Sequence, residues 1–135
     1  ESESRGLGDV YKRQLKSLNM NDETINLAKK NCLPCEGGVD PIDIAKATNM
    51  MNQLDAGWEL QDEGQKIFKE FRAKNHYEIV SIINLIIWIS HKEDHHPEIT
   101  FGYNTARVTY FTYAINGLSE NDFICAAKID QALKL

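Results

Sequence analysis

The chain of 135 residues is poor in several things, and each scarcity narrows what it can be. Cysteine is sparse: Cys32, Cys35 and Cys125 are the only three, and an odd number in a stretch with no export signal points to reduced thiols rather than a disulfide framework. Positive charge is short as well. The net charge is -5, and no basic patch interleaves with aromatics, which argues against a nucleic-acid partner. The longest apolar run, residues 79–89, is interrupted by Ser81 and Asn84 and is too short to span a bilayer, so no membrane insertion is expected. No apolar secretory core stands near the first residues, and the expected location is cytoplasmic. Because residue 1 is Glu and not Met, an upstream segment directing the chain to the nucleus or an organelle stays open. There is no internal sequence repeat.

What remains suits one domain. A hydrophobic content of 42% lies slightly below the globular average and well above the disordered range. The core will be small, and small domains often gain stability by associating. Residues 1–30 stand apart as a tail, a linker or a non-native extension, with at most a weak helical turn or two over 20–30; the domain is assigned to 31–135. Pro34 and Gly37-Gly38 make 31–39 a loop.

Asp40 is a good N-cap and Pro41 suits a first helical position, with Ile44, Ala47, Met51 and Leu54 recurring at helical spacing and Gly57 as the stop. Trp58 and Leu60 alternate with Glu59 and Gln61, Asp62-Glu63-Gly64 turns the chain, and residues 66–73 form a hairpin partner. Residues 76–91 are apolar nearly all round. Isoleucine favours strand there, but the length favours helix, buried on one face by a sheet and on another by a second subunit. A second hairpin pairs 99–103 with 107–113. Ser119-Glu120-Asn121-Asp122 has the form of a capping box, with Leu118 and Phe123 placed as a hydrophobic staple for a last helix to about residue 133. The order α-β-β-α-β-β-α predicts an α+β fold: two layers, a four-stranded antiparallel sheet with helices on one face.

The chemistry concentrates in His91-Lys92-Glu93-Asp94-His95-His96-Pro97-Glu98, which holds three imidazoles and three carboxylates in eight residues. Imidazole has an unperturbed pKa of about 6.5 and exchanges protons near neutrality. Pro97 restricts His96 to extended backbone, so the long helix should end near His95, where a helix gives way to a strand. Three readings follow. The histidines are solvated residues favouring a helix C-terminus; or His91 and His95, four apart on one helical face, ligate a metal with a carboxylate; or the adjacent His95 and His96 address two atoms of one small substrate as acid and base. Cys32-Leu33-Pro34-Cys35 lacks the preceding strand of a redox motif and the second pair of a zinc site, and reads as a structural loop, with a disulfide or a metal shared across subunits as the lesser alternative. Capping explains Asp122. Trp58 and Trp88 read as core or interface, and His76 as a helix-start residue with no evident partner.

His91-x-x-x-His95-His96-Pro97, Tyr103 after five further residues, and Asp122 beyond resemble the signature of the pterin-4a-carbinolamine dehydratases, or 4a-hydroxytetrahydrobiopterin dehydratases. The similarity covers most of 32–133 and includes Gly57-Trp58, Ile67-Phe68-Lys69, Asp94-His95-His96-Pro97-Glu98 and Gly117-Leu118-Ser119-Glu120-Asn121-Asp122. The Cys-Leu-Pro-Cys-Glu-Gly-Gly segment resembles members with an N-terminal extension. The resemblance implies an α+β dimer or tetramer that removes water from a 4a-hydroxytetrahydropterin to give the quinonoid dihydropterin. That step recycles the cofactor of aromatic amino-acid hydroxylases and requires no metal or organic cofactor. By matching positions it implies His95 as general acid or base and His96 as assisting. Tyr113 stands where the family commonly has a third histidine. Asp94, Pro97, Phe111 and Thr112 would complete the pterin site with those three, and His91 and Asp122 would support it. Partners implied are the pterin, further copies of the chain, and a hydroxylase or a transcription factor. A catalytically weak interaction module on the same fold is the alternative.

Overall fold

The computed structural model describes residues 26–35 and 37–134. The elements are α1 (Ile44–Met51), β1 (Trp58–Gln61), β2 (Lys66–Arg72), α2 (His76–Glu93), β3 (Glu98–Phe101), β4 (Thr105–Tyr110), a 3-10 turn (Tyr113–Ile115) and α3 (Glu120–Leu133). The strands form one antiparallel sheet in the order β1-β2-β4-β3. Each hairpin stays intact and β2 joins β4 at the centre, as the α+β expectation requires.

The alternation of side chains sets the two faces. Register places Trp58, Ile67, Phe71, Ala106, Val108 and Tyr110 on one face, and all are buried. Ile79, Ile83 and Ile86 of α2 and Phe123, Ile124 and Ile129 of α3 belong to the same core, and the two helices pack against each other. The opposite face is polar. There the Arg107 guanidinium lies 3.8 Å from the centre of the Phe68 ring and donates to Gln61 and Glu70.

Helix α2 forms despite its isoleucines because both ends are well made. The Asn75 side chain caps the start by accepting from the Glu78 N–H at 2.9 Å, and His91 and Lys92 lie in the last turn, where cations are favoured. Its outer face leaves Tyr77, Ile87 and Trp88 exposed. Among the described residues, no helix is long and apolar enough to cross a membrane.

Several boundaries differ from expectation. The N-cap of α1 is Asp43, not Asp40: its carboxylate accepts from the Lys46 N–H at 2.8 Å. The Ile42 N–H is bound to the Leu118 carbonyl at 2.8 Å, which holds the chain extended until Asp43. Helix α1 ends at Met51, and Gly57 (φ +111°) instead makes the turn into β1. Helix α2 stops at Glu93, so His91 and His95 share no helical face. Strand β4 stops at Tyr110, because Thr112 bridges to Gly117, and Tyr113 therefore opens a 3-10 turn rather than sitting on a strand. Packing also begins before residue 31: Leu27 and Ala28 are buried, and Lys128 Nζ donates to the Ala28 carbonyl at 2.7 Å. The remainder of the expected tail, residues 1–25, lies outside the described residues.

One buried charge anchors the far end of α3. Asp130 is 1% exposed and accepts from Trp58 Nε1 (2.9 Å), Lys69 Nζ (3.1 Å) and the Asp55 N–H (3.0 Å). Burial raises its pKa, while Lys69 and the two N–H donors draw it back. Removing a buried, paired carboxylate strands its donors. Asp130→Ala is therefore expected to lower the unfolding free energy by about 3 kcal/mol, checked by urea denaturation followed by Trp58 fluorescence.

Candidate active site

The site begins with one backbone conformation. Asp94 caps α2 in the left-handed region (φ 52°, ψ 42°), a conformation in which Asp is several-fold enriched. The chain then reverses, and the His95 N–H bonds back to the Ser90 carbonyl at 3.1 Å, satisfying an orphan helix carbonyl. The backbone of His95 is thus fixed by the helix end, while its side chain is directed inward.

There the imidazole stacks on Tyr110, with ring centroids 5.8 Å apart and planes at 10°. Tyr110 is fully buried, and its hydroxyl shares a 2.7 Å hydrogen bond with Ser90. Burial holds the phenol well above its ordinary pKa, so the floor under His95 is neutral. At the ring edge His95 Nε2 meets Asp122 Oδ1 at 2.6 Å. Asp122 is completely buried. Its Oδ2 accepts from Thr112 Oγ1 (2.8 Å) and from the Ser119 N–H (2.9 Å) as part of the capping box of α3. The Thr112 hydroxyl spends its proton on Asp122, so it accepts from Ser119 Oγ at 2.7 Å.

These contacts assign the histidine tautomer. A carboxylate accepts only, so neutral His95 carries its proton on Nε2 and leaves the Nδ1 lone pair for a ligand. The imidazolium form would be stabilised by the same carboxylate.

Beside His95 opens a cleft of about 450 Å³, within the range of small-molecule sites. Asp94, His95 and His96 line one side and Phe111, Thr112 and Tyr113 another. Residues 32–35, Glu93 and Asn121 line it as well. Six of the expected pterin-site residues therefore converge. His96 is exposed and has no hydrogen-bond partner among the described residues. Tyr113 is 74% exposed at the rim. Its hydroxyl donates to Glu98 Oε1 at 3.2 Å, and its ring lies 4.2 Å from that of Phe111.

Three expected residues stand apart from the cleft wall. Pro97 is not part of the lining, and Asp122 acts from behind His95. His91 is exposed on α2 with its ring 6.0 Å from that of Trp88. The metal reading needed His91 and His95 on one helical face, but His95 lies beyond the helix end and commits Nε2 to Asp122. Sequence reasoning missed Tyr110, Ser90 and the wall made by 32–35. Tyr110 carries only the strand alternation that marks any core residue, and Ser90 and the 32–35 wall give no local signal. It also left His76 without a partner; its Nδ1 bonds the Tyr103 carbonyl at 2.9 Å, and its ring stacks with Phe101 and Tyr103.

A family model for pterin 4 alpha carbinolamine dehydratase matches residues 40–132. The chain belongs to this family. Among its relatives, a protein of Nitrosospira multiformis is 53% identical over 115 residues, covering 84% of this chain and 99% of the relative. One from Nitrosomonas eutropha is 51% identical over 108 residues, covering 80% and 94%. Both are provisionally named as pterin-4-alpha-carbinolamine dehydratases. The crystal structure of a transcriptional coactivator/pterin dehydratase from Brucella melitensis superposes with a TM-score of 0.64 at 27% identity, covering 68% of this chain and 97% of that one. The family match starts at residue 40, so the cleft wall made by 32–35 precedes it.

The tautomer is open to direct measurement. Long-range ¹H–¹⁵N spectra above neutral pH are expected to show neutral His95 protonated on Nε2, and Asp122→Ala is expected to return it to a tautomer mixture. An unchanged pattern in that variant would separate the ring from the carboxylate.

Proposed function

We propose that this member of the dehydratase family removes water from a 4a-hydroxytetrahydropterin, with His95 as the proton-transfer group. The observation that carries this reading is the His95–Asp122 pair at the cleft, which leaves one imidazole nitrogen free beside an unpartnered His96. The reaction breaks the bond between C4a and its hydroxyl oxygen, delivers a proton to that oxygen and takes one from a ring nitrogen. A new C=N bond remains, and the products are water and the quinonoid dihydropterin.

In this mechanism His95 Nδ1 takes the nitrogen's proton, and Asp122 stabilises the imidazolium that forms. His96 assists at the departing oxygen. Phe111 and Thr112 help shape the pterin pocket. The product would return to an aromatic amino-acid hydroxylase as recycled cofactor. Further copies of this chain would cover the exposed outer face of α2, in a dimer or tetramer.

Tyr113 tunes the reaction in this reading. A phenol, with an ordinary pKa near 10, is a poor base at neutral pH but donates a hydrogen bond. The expected result is activity that persists but is lowered, or biased toward one 4a-stereoisomer.

A second reading is favoured by Tyr77, Ile87 and Trp88 on the outer face of α2. These would seat another protein, and the chain would then act as a catalytically weak dimerisation module, such as a transcriptional cofactor.

The deciding assay follows ultraviolet absorbance of enzymatically generated 4a-hydroxytetrahydropterin with and without the protein. His95→Ala is expected to lower turnover by about 10²-fold or more while leaving circular dichroism unchanged. Wild-type turnover in that variant would remove His95 from the chemistry. Folded protein that gives no acceleration would favour the interaction module. In the same assay Tyr113→His is expected to raise the rate or shift the preference between stereoisomers; neither change would mean that residue 113 has no part in catalysis.

A further inference from the structure

Residues 32–35 reach the cleft through a set of non-covalent latches. The Cys32 N–H donates to Glu93 Oε1 at 2.7 Å. The Asn121 side chain holds Leu33 twice, accepting from its N–H at 3.0 Å and donating to its carbonyl at 2.6 Å. Cys32 Sγ points at the Asn121 carbonyl (3.6 Å) and lies 3.6 Å from Cys125 Sγ. The two cysteines are 93 residues apart in sequence, one on the loop and one on α3. The third cysteine, Cys35, also lines the cleft but has no sulfur contact among the described residues.

We propose that Cys32 and Cys125 are a redox pair: by exchange with a low-molecular-weight disulfide they form a disulfide that locks residues 32–35 onto α3 at the edge of the cleft. A disulfide bond is about 2.05 Å long, so the sulfurs must close by about 1.5 Å. Cys32 sits in a loop outside any helix or strand, and rotation of its side chain, with the backbone still held by Glu93, makes that shift.

The pair is asymmetric, and the asymmetry orders the steps. Cys32 is half-buried and faces the cleft, so a small disulfide can reach it. Cys125 is buried, and its hydrogen bond to Cys32 together with burial keeps its thiol protonated. Cys32, once its proton has passed to water, therefore attacks the small disulfide first, forming a mixed disulfide and expelling one thiolate. That thiolate takes the proton of Cys125. The Cys125 sulfur then attacks the Cys32 sulfur and expels the second small thiolate, which takes a proton from water. The two protein thiols are oxidised by two electrons, and one small disulfide becomes two thiols.

The bond would be felt at the cleft. Cys125 shares the buried core with Tyr110, the residue on which His95 stacks. Oxidation would tie residues 32–35, which line the cleft together with His95, to that core. The pairing itself does not depend on the reaction proposed above.

The test uses the full chain and oxidised glutathione as the probe. After equilibration, free thiols are blocked under denaturing conditions and the protein is mapped by peptide mass spectrometry. The expected result is a Cys32–Cys125 cross-linked peptide with Cys35 alone alkylated, reversed by dithiothreitol, and a higher Tm for the oxidised form. Cys32→Ser, a near-isosteric change at a loop residue on the edge of the core, is expected to lose both the cross-link and the Tm shift; Cys35→Ser is expected to keep them. A Cys32–Cys35 link, glutathione adducts with no internal link, three free thiols, or loss of the cross-link in Cys35→Ser would each overturn the proposal.

Discussion

The structure depends on how α3 is fastened to everything around it, and the fastening is a buried carboxylate at each end. Asp122 and Asp130 are eight residues apart, so about 12 Å separates them along the helix and both fall near one face. Asp122 gathers the Ser119 N–H, the Thr112 hydroxyl and His95. Asp130 gathers Trp58, Lys69 and the Asp55 N–H. A buried carboxylate is costly unless it is hydrogen-bonded, and here each accepts three bonds, all but that from the Ser119 cap coming from other elements. The loop after β4 and the turn after α2 must therefore meet at one end of α3, and β1 and β2 at the other.

This arrangement explains why capping and chemistry coincide. Asp122 is needed where it is to satisfy the Ser119 N–H at the start of α3, and its second oxygen is then aimed at the space beyond the helix. Tyr110 fixes the plane of the imidazole that enters that space, and Ser90 holds the Tyr110 hydroxyl. His95 is thereby restrained in plane, in tautomer and, through its own N–H, in backbone. Orientation of this kind is the usual requirement for a proton-transfer group, and none of it is supplied by flexible side chains.

Much of the fold was legible in the sequence because its signals are local. The alternation of Trp58 and Leu60, the turn at Asp62-Glu63-Gly64 and the Ser119 box each carry their own physical cause. The errors arise where a distant group decides. Asp40 and Asp43 are both competent caps, and the Ile42–Leu118 hydrogen bond chooses between them. Tyr113 reads as strand until Thr112 bridges to Gly117. The histidine cluster marks residues 94–96, and the resemblance adds 111–113 and gives Asp122 a supporting role, but the contact behind that role is hidden: a residue fully explained as a cap gives no sign that its other oxygen holds a histidine. The Cys32–Cys125 contact, across 93 residues, leaves no pattern in sequence at all.

The divergence between His91 and His95 shows how little separates a solvated histidine from a constrained one. Had α2 continued for one more turn, the i,i+4 relation would have placed His95 near His91 on the helix face that bears Trp88. Asp94 prevents this by entering the left-handed region, a conformation that costs most residues about 1–2 kcal/mol and that Asp tolerates better than most. The His95–Ser90 backbone bond offsets part of that cost, and the Asp122 contact gives the redirected ring a charged partner in a buried setting. Pro97 then bars a return to helix by holding His96 extended. The pair His95-His96 thus takes its form from a helix made to stop two residues earlier than its sequence alone suggests.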